Sequence, residues 1–177
     1  MKILIMCEGS NELEVMRILL DHNRLIFTAD DLLGLRPFHA RQINKSAVVR
    51  TELNLYQGDV RILRIGDKQG DRLKIPSAYK DKIISTEKYC TKPELEMLLI
   101  IEENLLPEFN KVKSRTKAKD FAKNHIKYGR RKYDNSSAFY REYFGNRPDI
   151  LVHAIKEYRK YNSAHKKDEH YLAELLK

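Results

Sequence analysis

Two stretches of the chain are apolar in the manner of strands buried on both faces. Residues 3–7 carry only Ile, Leu, Met and Cys side chains, and this run stops at Glu8 and Gly9. Residues 60–65 alternate Val, Ile and Leu with two arginines and stop at Gly66 and Asp67. Buried apolar runs are typical of parallel sheets, so the pattern predicts two parallel strands, each followed by a glycine and a carboxylate.

The remaining pattern predicts a few short strands and then mostly helices. We expect a helix over 11–22, an irregular stretch over 30–45, and short strands over 25–27, 48–56 and 82–85. Further helices are expected over 93–106, around the aromatic residues 139–144, over 150–161 and near 172–176. The predicted fold class is α/β, with a mostly parallel sheet flanked by helices and a helical C-terminal half, in a single domain over residues 1–177.

Carboxylates cluster where the two apolar strands end. Glu8 follows the first strand, whereas Asp67 and Asp71 lie in a glycine-containing turn after the second. If the strands are parallel neighbours, these side chains meet at the carboxyl edge of the sheet, where open α/β sheets bind ligands. Clustered carboxylate oxygens are the ligands that Mg²⁺ prefers.

The residues at these strand ends resemble the two signatures of the Toprim domain. A buried strand, Glu8-Gly9, two spacer residues and Glu12 before a helix is similar to the first signature. The second strand with its clustered aspartates resembles the second signature, although Asp67 and Asp71 are farther apart than the family's Asp-x-Asp. Asp67 directly follows the strand and is therefore the stronger candidate of the two. The resemblance covers mainly residues 1–88, which would form a Toprim-like core completed by helices over 89–177.

The Toprim resemblance implies Mg²⁺- or Mn²⁺-dependent cleavage of nucleic-acid phosphodiesters. It assigns Glu8 and Asp67 catalytic roles and implies metal ligands among Glu8, Asp67, Asp71, Glu12 and Glu96. Small Toprim proteins of the overcoming-lysogenisation-defect type are found beside ABC-type ATPases in phage-defence operons. By that likeness we expect a cytoplasmic protein of anti-phage defence with an ATPase partner, while the possibility of a homo-oligomer stays open.

The charge of the chain indicates an anionic partner, with nucleic acid the first candidate. The net charge is +9 and the isoelectric point about 9.4. The basic segment 111–133 holds ten basic residues against one acid, an excess equal to that of the whole chain. We expect nucleic-acid contacts from its basic members: Lys111, Lys113, Arg115, Lys117, Lys119, Lys123, Lys127, Arg130, Arg131 and Lys132. The simpler interpretation of these residues is a solvated helix face.

Other features exclude several classes of protein. No apolar run approaches the roughly 20 residues of a membrane span, and the first residues do not fit a signal peptide. The two cysteines, Cys7 and Cys90, favour reduced thiols, and no Cys/His spacing indicates zinc.

Two alternatives to a nuclease remain open from the residues. The wide Asp67–Asp71 spacing is also compatible with a non-catalytic module that senses nucleic acid or a phage signal. The same carboxylates would equally serve a primase-like or RNA-maturing enzyme.

Overall fold

The computed structural model describes residues 1–67, 72–161 and 165–177. Strands and helices follow one another along the chain in the order β1 Lys2–Cys7, α1 Ser10–Asp21, β2 Phe38–His39, α2 Ala47–Leu55, β3 Val60–Gly66, β4 Ile83–Cys90, α3 Met97–Glu102, α4 Leu106–Val112, α5 Ala118–His125, β5 Lys127–Tyr128, β6 Arg131–Lys132, α6 Ser137–Phe144, α7 Pro148–Tyr161 and β7 Glu169–Tyr171. Short 3-10 helices lie at Ala29–Asp31, Leu33–Leu35, Ile43–Lys45, Ser77–Tyr79 and Leu172–Leu175.

Five strands form one sheet in the order β2-β1-β3-β4-β7, and every neighbouring pair in it is parallel. Strands β5 and β6 form a separate antiparallel hairpin. The fold is therefore α/β, with a parallel sheet flanked by helices and a helical C-terminal half, and the predicted fold class is confirmed. No helix in the described ranges combines the length and apolar character needed to cross a membrane.

The sheet separates two hydrophobic cores, because successive side chains of a strand point to opposite faces. Ile5 and Cys7 of β1 pack into the larger core, which contains the apolar faces of α1, α3, α5, α6 and α7. Leu4 and Met6 pack into the smaller core, which α2 covers with Val49. A strand buried on both sides favours apolar side chains on both of its faces, and this explains the uninterrupted run at residues 3–7.

The prediction of two adjacent parallel strands at 3–7 and 60–65 is confirmed. Strands β1 and β3 pair in parallel, with Leu4 opposite Ile62 and Cys7 opposite Ile65. The strand predicted at 82–85 also exists, but it extends to Cys90 as β4. Its middle is polar because it lies where the sheet is only partly covered, so hydrophobicity alone did not reveal its length.

The edge strand predicted over 48–56 is wrong, since this stretch forms helix α2. Ser46 caps the helix by accepting a hydrogen bond from the Val49 N–H, and Val49 and Leu53 are buried one helical turn apart. The i and i+4 spacing of these two residues fits a helix, whereas the alternation read as a strand was only partial.

The short strand predicted over 25–27 is also absent from the sheet. Leu25 instead forms an isolated antiparallel bridge with Leu176, supported by a 2.9 Å hydrogen bond from the Ile26 N–H to the Leu175 carbonyl. The second strand of the sheet is β2, two residues inside the stretch predicted to be irregular. Two residues are too few to show a hydrophobic period.

Helix α3 is shorter than the helix predicted over 93–106. It begins at Met97, after a cis Lys92–Pro93 bond, and ends at Glu102. Asn104 adopts a left-handed conformation with φ 57°, which ends the helix, and α4 begins at Leu106. The predicted aromatic helix is confirmed as α6, with Ser136 as its cap and Gly145 at its end.

Candidate active site

The carboxyl ends of β1 and β3 form the point at which the strand order of the sheet reverses. From β1 the chain moves to β2 on one side, and the later strands of this sheet, β3, β4 and β7, lie on the other side. Glu8 directly follows β1, and its N–H donates a 2.8 Å hydrogen bond to the Ile65 carbonyl of β3. Asp67 directly follows β3. Both acids therefore lie beside the crevice that a reversal of strand order opens in an α/β sheet.

Two glycines leave room for carboxylates at this edge. A Cβ on Gly66 would lie 2.8 Å from the Cβ of Glu8, closer than two such atoms can approach. A Cβ on Gly9 would lie 2.6 Å from Oε2 of Glu12. The Glu8 side chain thus folds over the end of β3, and the Glu12 carboxylate folds back towards the turn after β1.

Residues from the second half of the chain complete a pocket above this edge. The pocket has a volume of about 300 Å³. Its charged lining consists of four acids and two bases: Glu12, Asp67, Glu94, Glu96, Arg41 and Lys119. The N-terminal and C-terminal halves of the chain therefore contribute to one site.

The carboxylate of Glu12 lies among other negative charges. Burial raises the pKa of Glu12 to about 7, and the carboxylates of Asp67, Glu8 and Glu96 contribute to the increase. Because each of the three acts on Glu12 electrostatically, the predicted acids Glu8, Glu12, Asp67 and Glu96 are brought into one neighbourhood. Concentrated negative charge of this kind favours a proton or a cation.

Glu96 is buried at the base of the pocket, with 4% of its surface exposed. The hydroxyl of Tyr133 donates a 2.6 Å hydrogen bond to its Oε1 atom, although burial still raises the pKa of Glu96. The Asn135 amide satisfies its hydrogen bonds in one orientation. In that orientation its nitrogen donates to Glu96 Oε1 at 3.1 Å, and its oxygen accepts from Lys119 Nζ at 2.8 Å. This network holds the Lys119 ammonium beside the Glu96 carboxylate.

Arg41 holds Glu8 from the β2 side of the pocket. Its Nε donates a 3.1 Å hydrogen bond to the Glu8 carbonyl, and its guanidinium lies 3.5 Å from Glu8 Oε1. Arg41 keeps 64% of its side chain exposed, so the same guanidinium can also reach a ligand in solvent.

The remaining predicted residues differ in where the structure places them. Asp71 lies outside the described residues. Lys119, predicted to contact nucleic acid as part of the basic segment, lines the carboxylate pocket. Glu94 and Asn135 also line the pocket, but they reach it from positions far from residues 8–12 in sequence, so no local pattern marks them.

The basic segment 111–133 covers the end of α4, helix α5 and the β5–β6 hairpin. Arg131 contacts Asp134 at 2.7 Å and also pairs with Glu142. With Lys119 in the pocket, the other basic members are exposed: Lys111, Lys113, Arg115, Lys117, Lys123, Lys127, Arg130 and Lys132. The segment therefore presents positive charge on more than one element.

Within residues 1–67, 72–161 and 165–177, no group of three or more His, Cys, Asp or Glu side chains is arranged to hold a metal ion. The donor chemistry of the pocket nevertheless fits a hard cation, because its acids offer only oxygen atoms. Among them lies Glu12, whose pKa is raised by burial first and then by the neighbouring carboxylates. Cys7 and Cys90 are free and buried, and burial raises both of their pKa values.

No family model, curated protein or solved structure matches this chain. The fold and the site together define an α/β protein with a crevice lined by carboxylates at the reversal point of its sheet.

The pKa of Glu12 leads to a prediction about stability. An ordinary glutamate has a pKa of 4.5, against about 7 for Glu12 in the folded chain. Between these values the folded protein keeps a proton that the unfolded chain releases, so the free energy of unfolding falls as pH rises through this window. The contribution approaches about 2 to 3 kcal/mol. Urea denaturation in EDTA from pH 5 to 8 measures it.

The variant Glu12→Gln isolates this contribution from that of other titrating groups. Glutamine cannot lose the proton, so we expect the variant to be more stable than the parent at pH 8 and less dependent on pH between 4.5 and 7. Identical pH dependence in the two proteins would show that Glu12 titrates normally.

Proposed function

We propose that this protein is a Toprim-type nuclease that requires Mg²⁺ or Mn²⁺ and cleaves nucleic-acid phosphodiesters. The observation that carries the proposal is the gathering of Glu8, Glu12, Asp67 and Glu96 at the reversal point of the sheet. Acidic groups there meet two bases, Arg41 and Lys119, and this combination suits a phosphate held next to a cation.

The acids of the pocket supply the cation ligands in this proposal. Asp67, Glu96 and Glu12 line the pocket, and Glu8 lies at its edge. A bound Mg²⁺ would polarise the scissile phosphate and stabilise charge on the attacking and leaving oxygens. It would also stabilise the charged form of Glu12, whose pKa is raised by burial first and then by the neighbouring carboxylates.

The other polar residues bind and orient the substrate. The Lys119 ammonium, positioned by Asn135, contacts a non-bridging phosphate oxygen. Arg41 fixes the backbone of Glu8 and offers its exposed side to the same phosphate. Glu8 is either a cation ligand or the general acid and base beside the leaving oxygen. The exposed lysines and arginines of the basic segment hold the phosphate backbone without reading its sequence.

The biological setting in the proposal comes from the Toprim resemblance. It is a cytoplasmic role in phage defence, beside an ABC-type ATPase that controls cleavage. Association of the chain with itself is compatible with this setting, and size-exclusion chromatography with light scattering measures it directly.

The proposal is tested with plasmid DNA, single-stranded DNA and structured RNA, each incubated in EDTA, Mg²⁺ and Mn²⁺. We expect cleavage of at least one substrate with a divalent cation and none in EDTA. Binding to all three substrates without any cleavage would favour the sensing module instead. Extension of a primer with nucleoside triphosphates would favour the primase-like enzyme.

A further inference from the structure

A second and larger cleft opens beside the carboxylate pocket, between α3, α4, the end of α7 and residues 113–118. Its volume is about 920 Å³, enough for a nucleotide. The floor is apolar and consists of Met97, Ile101, Phe109 and Tyr158, all of them buried. At the rim, Tyr161 keeps 63% of its surface exposed and can offer a ring face to a ligand.

The rim of this cleft is strongly basic. Lys113, Arg115 and Lys117 line it, and all three are exposed. None of them pairs with a carboxylate of the residues that the structure describes, so their charge is available to an anion. An apolar floor, one exposed aromatic ring and an uncompensated basic rim together suit a ligand with a flat apolar body and a phosphate.

The cleft shares a wall with the carboxylate pocket. Glu94 lines both cavities, and its Oε2 atom accepts a 2.8 Å hydrogen bond from the backbone N–H of Lys119. One residue thus separates a basic, aromatic cavity from the site proposed for the scissile phosphate. A polynucleotide strand lying across Glu94 would place a phosphate on one side and the neighbouring nucleotide on the other.

We propose that this cleft binds one nucleotide of a single-stranded nucleic acid, with the base stacked on Tyr161 and the phosphate held by Lys113, Arg115 and Lys117. The cleft selects strands whose bases are unpaired, because a base stacked in a duplex cannot reach the ring. The position of the nucleotide relative to the cut rests on the proposed nuclease function, but its binding does not.

Binding is measured by the fluorescence anisotropy of a labelled ten-nucleotide single strand in EDTA, where no metal-dependent cleavage can occur. We expect Tyr161→Ala to weaken binding about ten-fold, equivalent to about 1.4 kcal/mol for one stacked base. Tyr161→Phe keeps the ring and should bind within about two-fold of the parent. Circular dichroism checks that each variant is folded.

Matched substitutions outside the cleft provide the controls. Tyr128 is also exposed and lies in the basic segment, but it does not line the cleft, so Tyr128→Ala should change affinity less than about two-fold. Lys113→Ala should weaken binding and reduce its salt dependence. Lys111 lies outside the cleft, so Lys111→Ala should cause smaller changes in both quantities.

Two results would overturn the proposal. One is a Tyr161→Ala protein that binds the strand as tightly as the parent does. The other is displacement of the strand by an acidic peptide of equal charge at equal concentration, which would identify the cleft as a protein-docking surface. If binding in EDTA depends on Tyr161 but no substrate is cleaved in Mg²⁺, the nucleotide cleft is supported and the nuclease function is rejected. If a substrate is cleaved in Mg²⁺ but binding does not depend on Tyr161, the nuclease function is supported and the nucleotide cleft is rejected.

Discussion

Replacing Glu8 by glutamine, or Asp67 by asparagine, is expected to abolish cleavage in Mg²⁺ while leaving the fold intact. Each change removes a negative charge but keeps the size of the side chain. Both residues follow strands at the reversal point of the sheet, and both act electrostatically on Glu12. We expect a loss of about 100-fold or more in the cleavage rate, measured with the nucleic acid that the parent cuts best.

A control for these variants lies at the opposite end of the same strand. Asp59 immediately precedes β3 and is exposed at the amino edge of the sheet, so Asp59→Asn should keep full activity. Mg²⁺ should raise the melting temperature of the parent and of Asp59→Asn more than that of the two active-site variants. Full cleavage by Glu8→Gln would refute the catalytic assignment and favour the sensing module. We expect Asp71→Asn to lower the cleavage rate less than Asp67→Asn does.

Loss of the exposed charges of the β5–β6 hairpin is expected to weaken nucleic-acid binding regardless of sequence. The pair Arg130→Ala and Lys132→Ala removes two exposed charges, while Arg131 is kept because it bonds to Asp134 and Glu142. Each lost phosphate contact should reduce the slope of log affinity against log salt by about 0.7 to 0.9. Titrations of several unrelated sequences at four or more salt concentrations measure this slope.

The matched double variant is Lys74→Ala with Lys80→Ala. Both lysines are exposed in the connection between β3 and β4, outside the basic segment. We expect this variant to keep the parental salt slope, and we expect both double variants to keep the Mg²⁺ effect on stability. An unchanged slope after the hairpin substitutions would mean that the hairpin is a solvated face or a protein-docking surface. The anionic partner would then be sought near Arg36, Arg41 and Lys45.

The sequence predicted the centre of the fold because burial on two faces leaves a strong signature. Strands β1 and β3 are central and covered by helices on both sides, so their residues are apolar apart from Lys2, Arg61 and Arg64, and the acids that follow them stand out. The position of Glu8 and Asp67 at one edge followed from parallel pairing alone. Helix α6 was also predictable, because Ser136 and Gly145 mark its two ends.

The rest of the site depends on contacts between distant parts of the chain. Glu96 was expected at the site from the Toprim resemblance, but its partners Tyr133 and Asn135 lie about forty residues further along the chain. Lys119 carried no signal that separated it from the other lysines of the basic segment, since its place depends on how α5 packs. The two residues of β2 are too few to show a hydrophobic period. The pattern of the short helix α2 was compatible with a strand as well as a helix.

The pairing of residues 24–26 with residues 175–177 has a consequence for synthesis of the protein. The backbone N–H of Lys177 donates a 3.0 Å hydrogen bond to the Arg24 carbonyl, and strand β7 pairs with β4 across a long intervening stretch of chain. On a ribosome, β4 emerges on the order of 10 s before its partner β7. During that interval β4 has an open edge that can join other chains. We therefore expect the yield of folded protein to depend on expression temperature and chaperone supply, since both decide whether the nascent sheet survives until its last strand arrives.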